Sequence, residues 1–169
     1  YLILLVHGPN LNLLGERNPE VYGNTSLAEI EFNVMNEAKK RNAEIKTFQS
    51  NHEGGLIDFL HENRTFANGV LINPGGLTHT SVALRDAIEA INIPTIEVHL
   101  SDITAREDFR KVSLIVDVCI DQVAGLGPEG YTKAVNLLIA SLKLNIPSST
   151  SLRVRGRAVS NPIIPKHAF

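Results

Sequence analysis

Short apolar runs alternate with longer amphipathic segments along this chain, and that alternation constrains the fold more than any other feature. Five runs have the length and composition of buried strands: Leu2–Val6, Glu44–Phe48, Val70–Ile72, Thr95–Val98 and Gln122–Gly125. Segments with helical periodicity separate them. Because a helix-length connection lets successive strands run in the same direction, we expect one parallel sheet.

The segment that follows residue 25 shows the clearest helix. Ser26 and Glu29 have the spacing of a capping box, and one face carries Leu27, Ile30, Val34 and Ala38. Further helices are expected at Gly54–Arg64, at Thr80–Ile91 and from Pro128, the last with an inward face of Tyr131, Ala134, Val135, Leu138 and Leu142. Five strands and four helices in this order predict an α/β fold, a flavodoxin-like three-layer sandwich with a five-stranded parallel sheet.

Composition indicates one globular domain followed by a basic tail. The 169 residues are 43% hydrophobic and 20% charged, which suits a single core, and we expect the domain to span 1–146. Its 18 acidic and 12 basic residues give a net charge of −6, which argues against nucleic-acid binding. The other four basic residues lie in 147–169, where Ser, Pro and Arg predict a flexible tail.

Two features of the chain bear on its location. The apolar start, 1–6, is too short for a signal h-region or a membrane span, so we expect no membrane association. Cys119 is the only cysteine and cannot form an internal disulfide, which favours a reducing, cytoplasmic setting. Its apolar neighbours favour an inert core thiol over a nucleophile.

The connection after the first predicted strand is a candidate lid. It spans 8–23, which is longer than an ordinary connection between a strand and a helix. It carries Asn10, Arg17 and Tyr22. Taken singly, these residues also fit a turn residue, a solvated surface charge and an aromatic loop anchor, and both interpretations stay open at this point.

Polar residues also follow the third and fourth strands, at the sheet edge where ligands of such folds bind. The fourth strand leads into Glu97 and His99, and a carboxylate near an imidazole can set its tautomer. The third strand is followed by Asn73. His79 and Asp86 are seven residues apart, which predicts that they share one face of the third helix.

Six motifs follow one another over about residues 1–145. They are Gly8-Pro-Asn-Leu-Asn-Leu-Leu-Gly15, Gln49-Ser-Asn-His-Glu-Gly54, Asn73-Pro-Gly-Gly-Leu-Thr-His-Thr-Ser-Val-Ala-Leu-Arg-Asp86, Ile96-Glu-Val-His-Leu-Ser101, Ala105-Arg-Glu-Asp-Phe-Arg110 and Gly125-Leu-Gly-Pro-Glu-Gly-Tyr131. Together they closely resemble the type II 3-dehydroquinate dehydratases. The resemblance implies dehydration of 3-dehydroquinate to 3-dehydroshikimate by anti elimination through an enolate. It also implies a homo-oligomer, a dodecamer built from trimers, with no cofactor and no metal.

The resemblance implies a role for each matched residue. Tyr22 is the base, Arg17 stabilises its phenolate, and Asn10 holds a water over the enolate oxygen. His99 is the general acid, with Glu97 as its orienting partner. Substrate binding falls to Asn73, His79, Asp86, Leu100, Ser101 and Arg110. The chemistry agrees, because an ordinary tyrosine with a pKa of about 10 needs a nearby cation to ionise at neutral pH.

Three positions depart from the family pattern: Asp102, Asn18 and Leu114 stand where asparagine, glutamate and tyrosine are usual. None belongs to the implied mechanism. Asp102 places a negative charge beside the carboxylate-binding segment, which can weaken substrate binding by repulsion. The stretch Val112–Val123 resembles the family least. Arg106 also matches a family arginine, to which we assign a loop or interface role.

Two other functions are compatible with the residues. One is a metal-dependent hydrolase that uses His52, His79 and His99, although no pair of them has the spacing of helix-borne ligands. The other is a binding protein that kept the pocket and lost the chemistry. Metal analysis distinguishes the first, and a turnover assay distinguishes the second.

Overall fold

The computed structural model describes residues 1–16 and 24–144, which form a parallel sheet with helices on both faces. Within these residues the sheet has five strands: β1 Leu2–His7, β2 Glu44–Gln49, β3 Gly69–Asn73, β4 Thr95–Val98 and β5 Asp121–Val123. The same residues form four α-helices: α1 Leu27–Lys39, α2 Glu53–Asn63, α3 Val82–Ile91 and α4 Glu129–Lys143. The strand order is β2-β1-β3-β4-β5, and every pair is parallel. The predicted flavodoxin-like α/β sandwich is confirmed.

The strand β1 shows how the sheet divides the core into two layers. Successive side chains of a strand point to opposite faces. Accordingly, Ile3 and Leu5 pack with α1 and α4, whereas Leu4 and Val6 pack with α2 and α3. All four side chains have no exposed surface. A central parallel strand is covered on both faces, which is why its sequence is a continuous apolar run.

The predicted start of α1 is confirmed in detail. Ser26 Oγ accepts a hydrogen bond from Glu29 N at 3.3 Å, and Glu29 Oε2 accepts one from Ser26 N at 2.8 Å. This capping box satisfies two backbone donors that the first helical turn leaves unpaired. The first residue of α1 is therefore sharply defined.

The third helix begins later than predicted. Gly75–His79 forms a separate 3-10 helix, and α3 begins after Ser81, whose hydroxyl accepts a hydrogen bond from Leu84 N at 2.8 Å. His79 therefore precedes α3, and the prediction that it shares a helix face with Asp86 was wrong. The Ser81 side chain caps the N-terminus of α3 and so sets the first residue of the helix. Periodicity alone did not reveal this, because it does not report hydrogen bonds between a side chain and the backbone.

The fifth strand is shorter at its carboxyl end than predicted. It ends at Val123, and Gly125 has a φ of 79°, which turns the chain towards α4.

Arg17, Asn18, Tyr22 and the predicted tail 147–169 lie outside the described residues. Among residues 1–16 and 24–144, no helix combines the length and the apolar character that crossing a bilayer requires.

Candidate active site

A pocket of about 170 Å³ lies beyond the carboxyl ends of β1, β3 and β4. The connections from β1 and β3 leave in opposite directions here, and open α/β sheets bind their ligands at such a point. Seven of the predicted site residues line the pocket: Asn10, Asn73, His79, His99, Leu100, Ser101 and Arg110. The fold thus brings together polar groups from segments far apart in the sequence.

Gly8 carries the chain from β1 into the pocket wall. Its N–H donates to Asn73 O at 2.8 Å, and a Cβ at this position would lie only 2.2 Å from Pro74 O. Asn10 has a φ of 68°, a left-handed conformation that asparagine tolerates, and its N–H donates to Asn51 Oδ1 at 2.8 Å. The turns after β1 and β3 are therefore pressed together, with Asn10 at their edge.

The carboxamide of Asn73 has a defined orientation. Its Oδ1 accepts a hydrogen bond from Gly75 N at 3.1 Å, and its Nδ2 donates to the phenol oxygen of Tyr131 at 2.8 Å. Tyr131 is fully buried, and this burial raises its pKa, so it is a neutral phenol. One N–H of the amide is used by Tyr131, and the other remains for a ligand. From the sequence, Tyr131 was predictable only as a core residue, because nothing local to α4 reveals this partner.

His99 and Glu97 form a buried pair at the end of β4. His99 Nε2 lies 2.6 Å from Glu97 Oε1, while the ring lines the pocket. Because a carboxylate accepts and does not donate, Nε2 carries a proton, and Nδ1 is the ring nitrogen left for a ligand. Two residues that sequence analysis missed, Ser113 and Gln122, also donate to this carboxylate. Each of them is a polar residue within or beside an otherwise apolar stretch, and this is the sequence signal that could have identified them.

Guanidinium groups give the pocket a positive charge. Arg106 and Arg110 line it, and the described lining includes no aspartate or glutamate. Arg106 Nη1 donates to Ser101 Oγ at 3.4 Å. The Nε atoms of Arg106 and Arg110 lie 3.6 and 3.4 Å from Glu107 Oε2, outside the lining. Such a pocket favours an anionic ligand.

The peptide between Leu100 and Ser101 has a defined direction as well. The Leu100 carbonyl accepts a hydrogen bond from Gly127 N at 2.9 Å. The C=O and N–H of one trans peptide point in opposite directions, so the Ser101 N–H points away from Gly127. Both residues line the pocket, and this backbone donor lies beside the Ser101 hydroxyl. The two groups are suited to binding a carboxylate.

His79 presents one specific ring nitrogen. Its Nδ1 lies 2.7 Å from Val112 O, and because a carbonyl oxygen only accepts, Nδ1 carries the proton. Nε2 is then the ring nitrogen that is left for a ligand hydroxyl. Leu114 N also donates to Thr78 O at 2.9 Å, so the segment after residue 111 holds the 3-10 helix that bears His79.

Other predicted residues lie elsewhere. Asp86 is exposed on α3, with its carboxylate 3.6 Å from Arg85 Nη1, and does not line the pocket. Asp102 Oδ1 accepts hydrogen bonds from Thr104 Oγ1 at 2.7 Å and Thr104 N at 2.9 Å, and these bonds lower its pKa. The Asp102 carboxylate therefore caps a local turn and does not belong to the lining. Tyr22 and Arg17, by resemblance the base and its cationic partner, lie outside the described residues.

The described residues give no support to metal or thiol chemistry. Within 1–16 and 24–144, no three side chains of His, Cys, Asp or Glu converge closely enough to hold a metal ion. His79 and His99 line the pocket, but His52 does not. Burial raises the pKa of Cys119, so its thiol is not ionised at neutral pH.

Comparison with known proteins assigns the chain to a family. The family described as Dehydroquinase class II matches residues 1–139. The 3-dehydroquinate dehydratases of Halothermothrix orenii and a Nostoc species are 50% and 55% identical over 141 residues, which is 83% of this chain and 95% and 96% of theirs. The crystal structure of type II dehydroquinase from Butyrivibrio crossotus superposes with a TM-score of 0.79 at 41% identity, over 81% of this chain and 96% of that one. The chain therefore belongs to the class II dehydroquinase family.

Proposed function

We propose that this protein is a hydro-lyase that dehydrates 3-dehydroquinate to 3-dehydroshikimate. The observation that carries the proposal is the buried pair of Glu97 and His99, which engages one imidazole nitrogen while the ring lines a cationic pocket. An acid beside an anion-binding site suits the loss of a hydroxyl from a polyhydroxylated carboxylate. Family membership and the names of close relatives support the same reaction.

The elimination requires a base, an acid and a stabilised enolate. Tyr22, ionised with the help of Arg17, removes the proton α to the ketone. The ketone oxygen becomes the enolate oxygen, over which Asn10 holds a water. His99 then protonates the departing hydroxyl, which leaves as water as the carbon–carbon double bond forms. The guanidinium suits its role because it stays charged and does not compete for the proton.

The remaining pocket residues bind the substrate. The Ser101 hydroxyl and the backbone N–H groups of Leu100 and Ser101 take the carboxylate, next to Arg106. Asn73, His79 and Arg110 take the ring hydroxyls and neighbouring groups. The defined orientations of the Asn73 amide and the His79 ring support these assignments, since each leaves one polar atom for a ligand.

Asp86 acts in the site of a second copy in this proposal. Its carboxylate is 65% exposed on α3 and lies outside the pocket of its own chain. A homo-oligomer, which we expect to be a dodecamer built from trimers, would bring Asp86 of one subunit to the pocket of the next. Sedimentation of the wild type, together with the rate of Asp86→Asn, tests this part. A fully active monomer would refute it.

We further propose a cytoplasmic setting, which the single cysteine supports, since that compartment keeps thiols reduced. The reaction serves aromatic amino acid biosynthesis through the shikimate pathway or the breakdown of quinate, which share this step. Growth of a strain lacking its own dehydratase, with and without quinate as the carbon source, distinguishes the two roles.

The decisive assay measures conversion of 3-dehydroquinate to a conjugated enone by ultraviolet absorbance, without added cofactor. We expect turnover by the wild type that withstands chelator and survives borohydride with substrate present, since no lysine imine forms. His99→Gln is expected to lose most of the rate, and His61→Gln, an exposed helix substitution, to keep it. Substrate binding without turnover would identify a binding protein, and loss of activity in chelator would identify a metalloenzyme.

A further inference from the structure

Both oxygens of the Glu97 carboxylate are hydrogen-bonded in the interior. His99 Nε2 lies 2.6 Å from Oε1, and Gln122 Nε2 lies 2.9 Å from Oε2. The Ser113 hydroxyl lies 2.9 Å from Oε1 and 3.0 Å from Oε2. Glu97 has no exposed surface. A carboxylate in such a place keeps its charge only where protein donors replace the lost water.

The hydroxyl of Ser113 is committed to donating. Its oxygen accepts hydrogen bonds from Ile115 N at 3.3 Å and from Val116 N at 3.1 Å. With both lone pairs engaged, its single hydrogen is directed at Glu97 and shared between the two carboxylate oxygens. The turn that begins at residue 115 therefore determines which way this hydroxyl points.

Gln122 is held by the sheet itself. It pairs in register with Glu97 across the β4–β5 ladder, so its side chain starts from a fixed backbone position. Because the carboxylate only accepts, the amide nitrogen and not the amide oxygen faces it. A donor carried on a strand is positioned more accurately than one carried on a loop.

We propose that Ser113 and Gln122 are positioning residues that act on the dehydration through Glu97. The inference rests on the proposed function. Together the two side chains hold Glu97 as an anionic acceptor, whose Oε1 receives the Nε2 proton of His99. The other ring nitrogen, Nδ1, then holds the proton that the leaving hydroxyl takes.

Removing either donor changes the proton balance of the acid. The departing hydroxyl takes the Nδ1 proton and leaves as water. The base then releases the α proton to solvent, and His99 regains a proton from solvent, which restores both groups. That cycle needs an imidazolium stabilised by a carboxylate. With fewer donors, the buried carboxylate draws the Nε2 proton towards itself or turns away from the ring. Substrate binding uses other pocket residues, so the loss falls on the chemical step.

Steady-state kinetics with 3-dehydroquinate tests the first consequence. Ser113→Ala and Gln122→Met remove the two donors, and Thr95→Val is the matched control, since it deletes a buried hydroxyl at the other end of β4. We expect kcat to fall about 10- to 100-fold in the two test variants, and KM to change by less than about threefold. An unchanged kcat, or a loss carried by KM alone, would overturn the proposal.

A double-mutant cycle separates action through Glu97 from a general loss of structure. In a Glu97→Gln background, Ser113→Ala should lower kcat by less than about twofold, because the carboxylate it serves is already gone. An equal loss in both backgrounds would mean that Ser113 acts independently of Glu97. Thermal unfolding of every variant shows whether the fold persists.

Nitrogen-15 spectra of histidine-labelled protein report the proton without any turnover. In the wild type and in Thr95→Val we expect the His99 Nε2 proton, assigned by its loss in His99→Gln. Ser113→Ala and Gln122→Met should weaken or lose it. An inactive wild type that shows this proton refutes the proposed function alone. An active wild type whose variants keep both kcat and the proton refutes the positioning role alone.

Discussion

His7 makes the stability of this protein sensitive to mild acid. Its ring is fully buried at the end of β1, with its centroid 5.7 Å from that of Tyr131. Nε2 lies 3.4 Å from Glu31 Oε1, yet neither ring nitrogen has a hydrogen-bond partner within the described residues. Burial lowers the pKa of His7 from 6.5 to about 3. The ring is therefore neutral at pH 7, and its contact with Glu31 is not an ion pair.

The direction of the effect follows from proton uptake. Below pH 6.5 the unfolded chain binds a proton at this ring, whereas the folded chain does so only near pH 3. The stabilisation that the neutral His7 ring gives to the free energy of unfolding is therefore complete above pH 6.5, and it is lost progressively as the pH falls towards 3. The whole shift corresponds to roughly 5 kcal/mol, of which about 2 to 3 kcal/mol is lost between pH 7 and about pH 4.5. Burial raises the pKa of Glu31, whose proton uptake in the folded state offsets part of this loss.

Urea unfolding followed by circular dichroism at several pH values measures the effect. We compare the wild type with His7→Gln and with His61→Gln, which removes an exposed histidine of α2, at one protein concentration. From pH 7 to about pH 4.5, the wild type and His61→Gln should lose about 2 to 3 kcal/mol more than His7→Gln. The variants are compared by the slope of the free energy of unfolding against pH, so a change in stability that is the same at every pH does not affect the comparison. Equal slopes for wild type and His7→Gln would refute the reasoning.

Four further substitutions test the site and its support. Tyr22→Phe should keep equilibrium binding of substrate and lose turnover about 10²- to 10⁴-fold; retained turnover would rule out this residue as the base. Tyr131→Phe leaves the buried Asn73 amide without its acceptor, so the free energy of unfolding in urea should fall by about 1 to 3 kcal/mol; no change would mean that another acceptor replaces the phenol. Gly8→Ala places a Cβ 2.2 Å from a carbonyl oxygen and should cost about 3 kcal/mol or more, whereas Gly54→Ala, whose Cβ meets nothing within 4 Å, should stabilise by about 0.5 to 1 kcal/mol. Equal effects at the two glycines would contradict the close approach of the turns after β1 and β3.

The sequence by itself determined the sheet, the helices and most of the polar side chains that line the pocket. Apolar runs with helix-length connections permit few arrangements other than a parallel sheet, and parallel strands bring their carboxyl ends to one edge. Residues at or just after the carboxyl end of a strand, such as Asn73 and His99, were therefore predictable as pocket residues. The capping box at Ser26 was equally predictable, because all of its atoms lie within four consecutive residues.

Only the tertiary structure decided which polar groups meet in the interior. Glu97 contacts Gln122 across a strand pair and Ser113 from a loop, and Asn73 contacts Tyr131 at a separation of 58 residues. Periodicity carries no information about such pairs, because it reports the environment of a side chain and not its partner. The tertiary structure likewise placed His79 in a 3-10 helix before α3 and left Asp86 outside the pocket of its own chain. Local patterns thus determine where the chain runs, and hydrogen bonding among distant buried groups determines which of its residues act together.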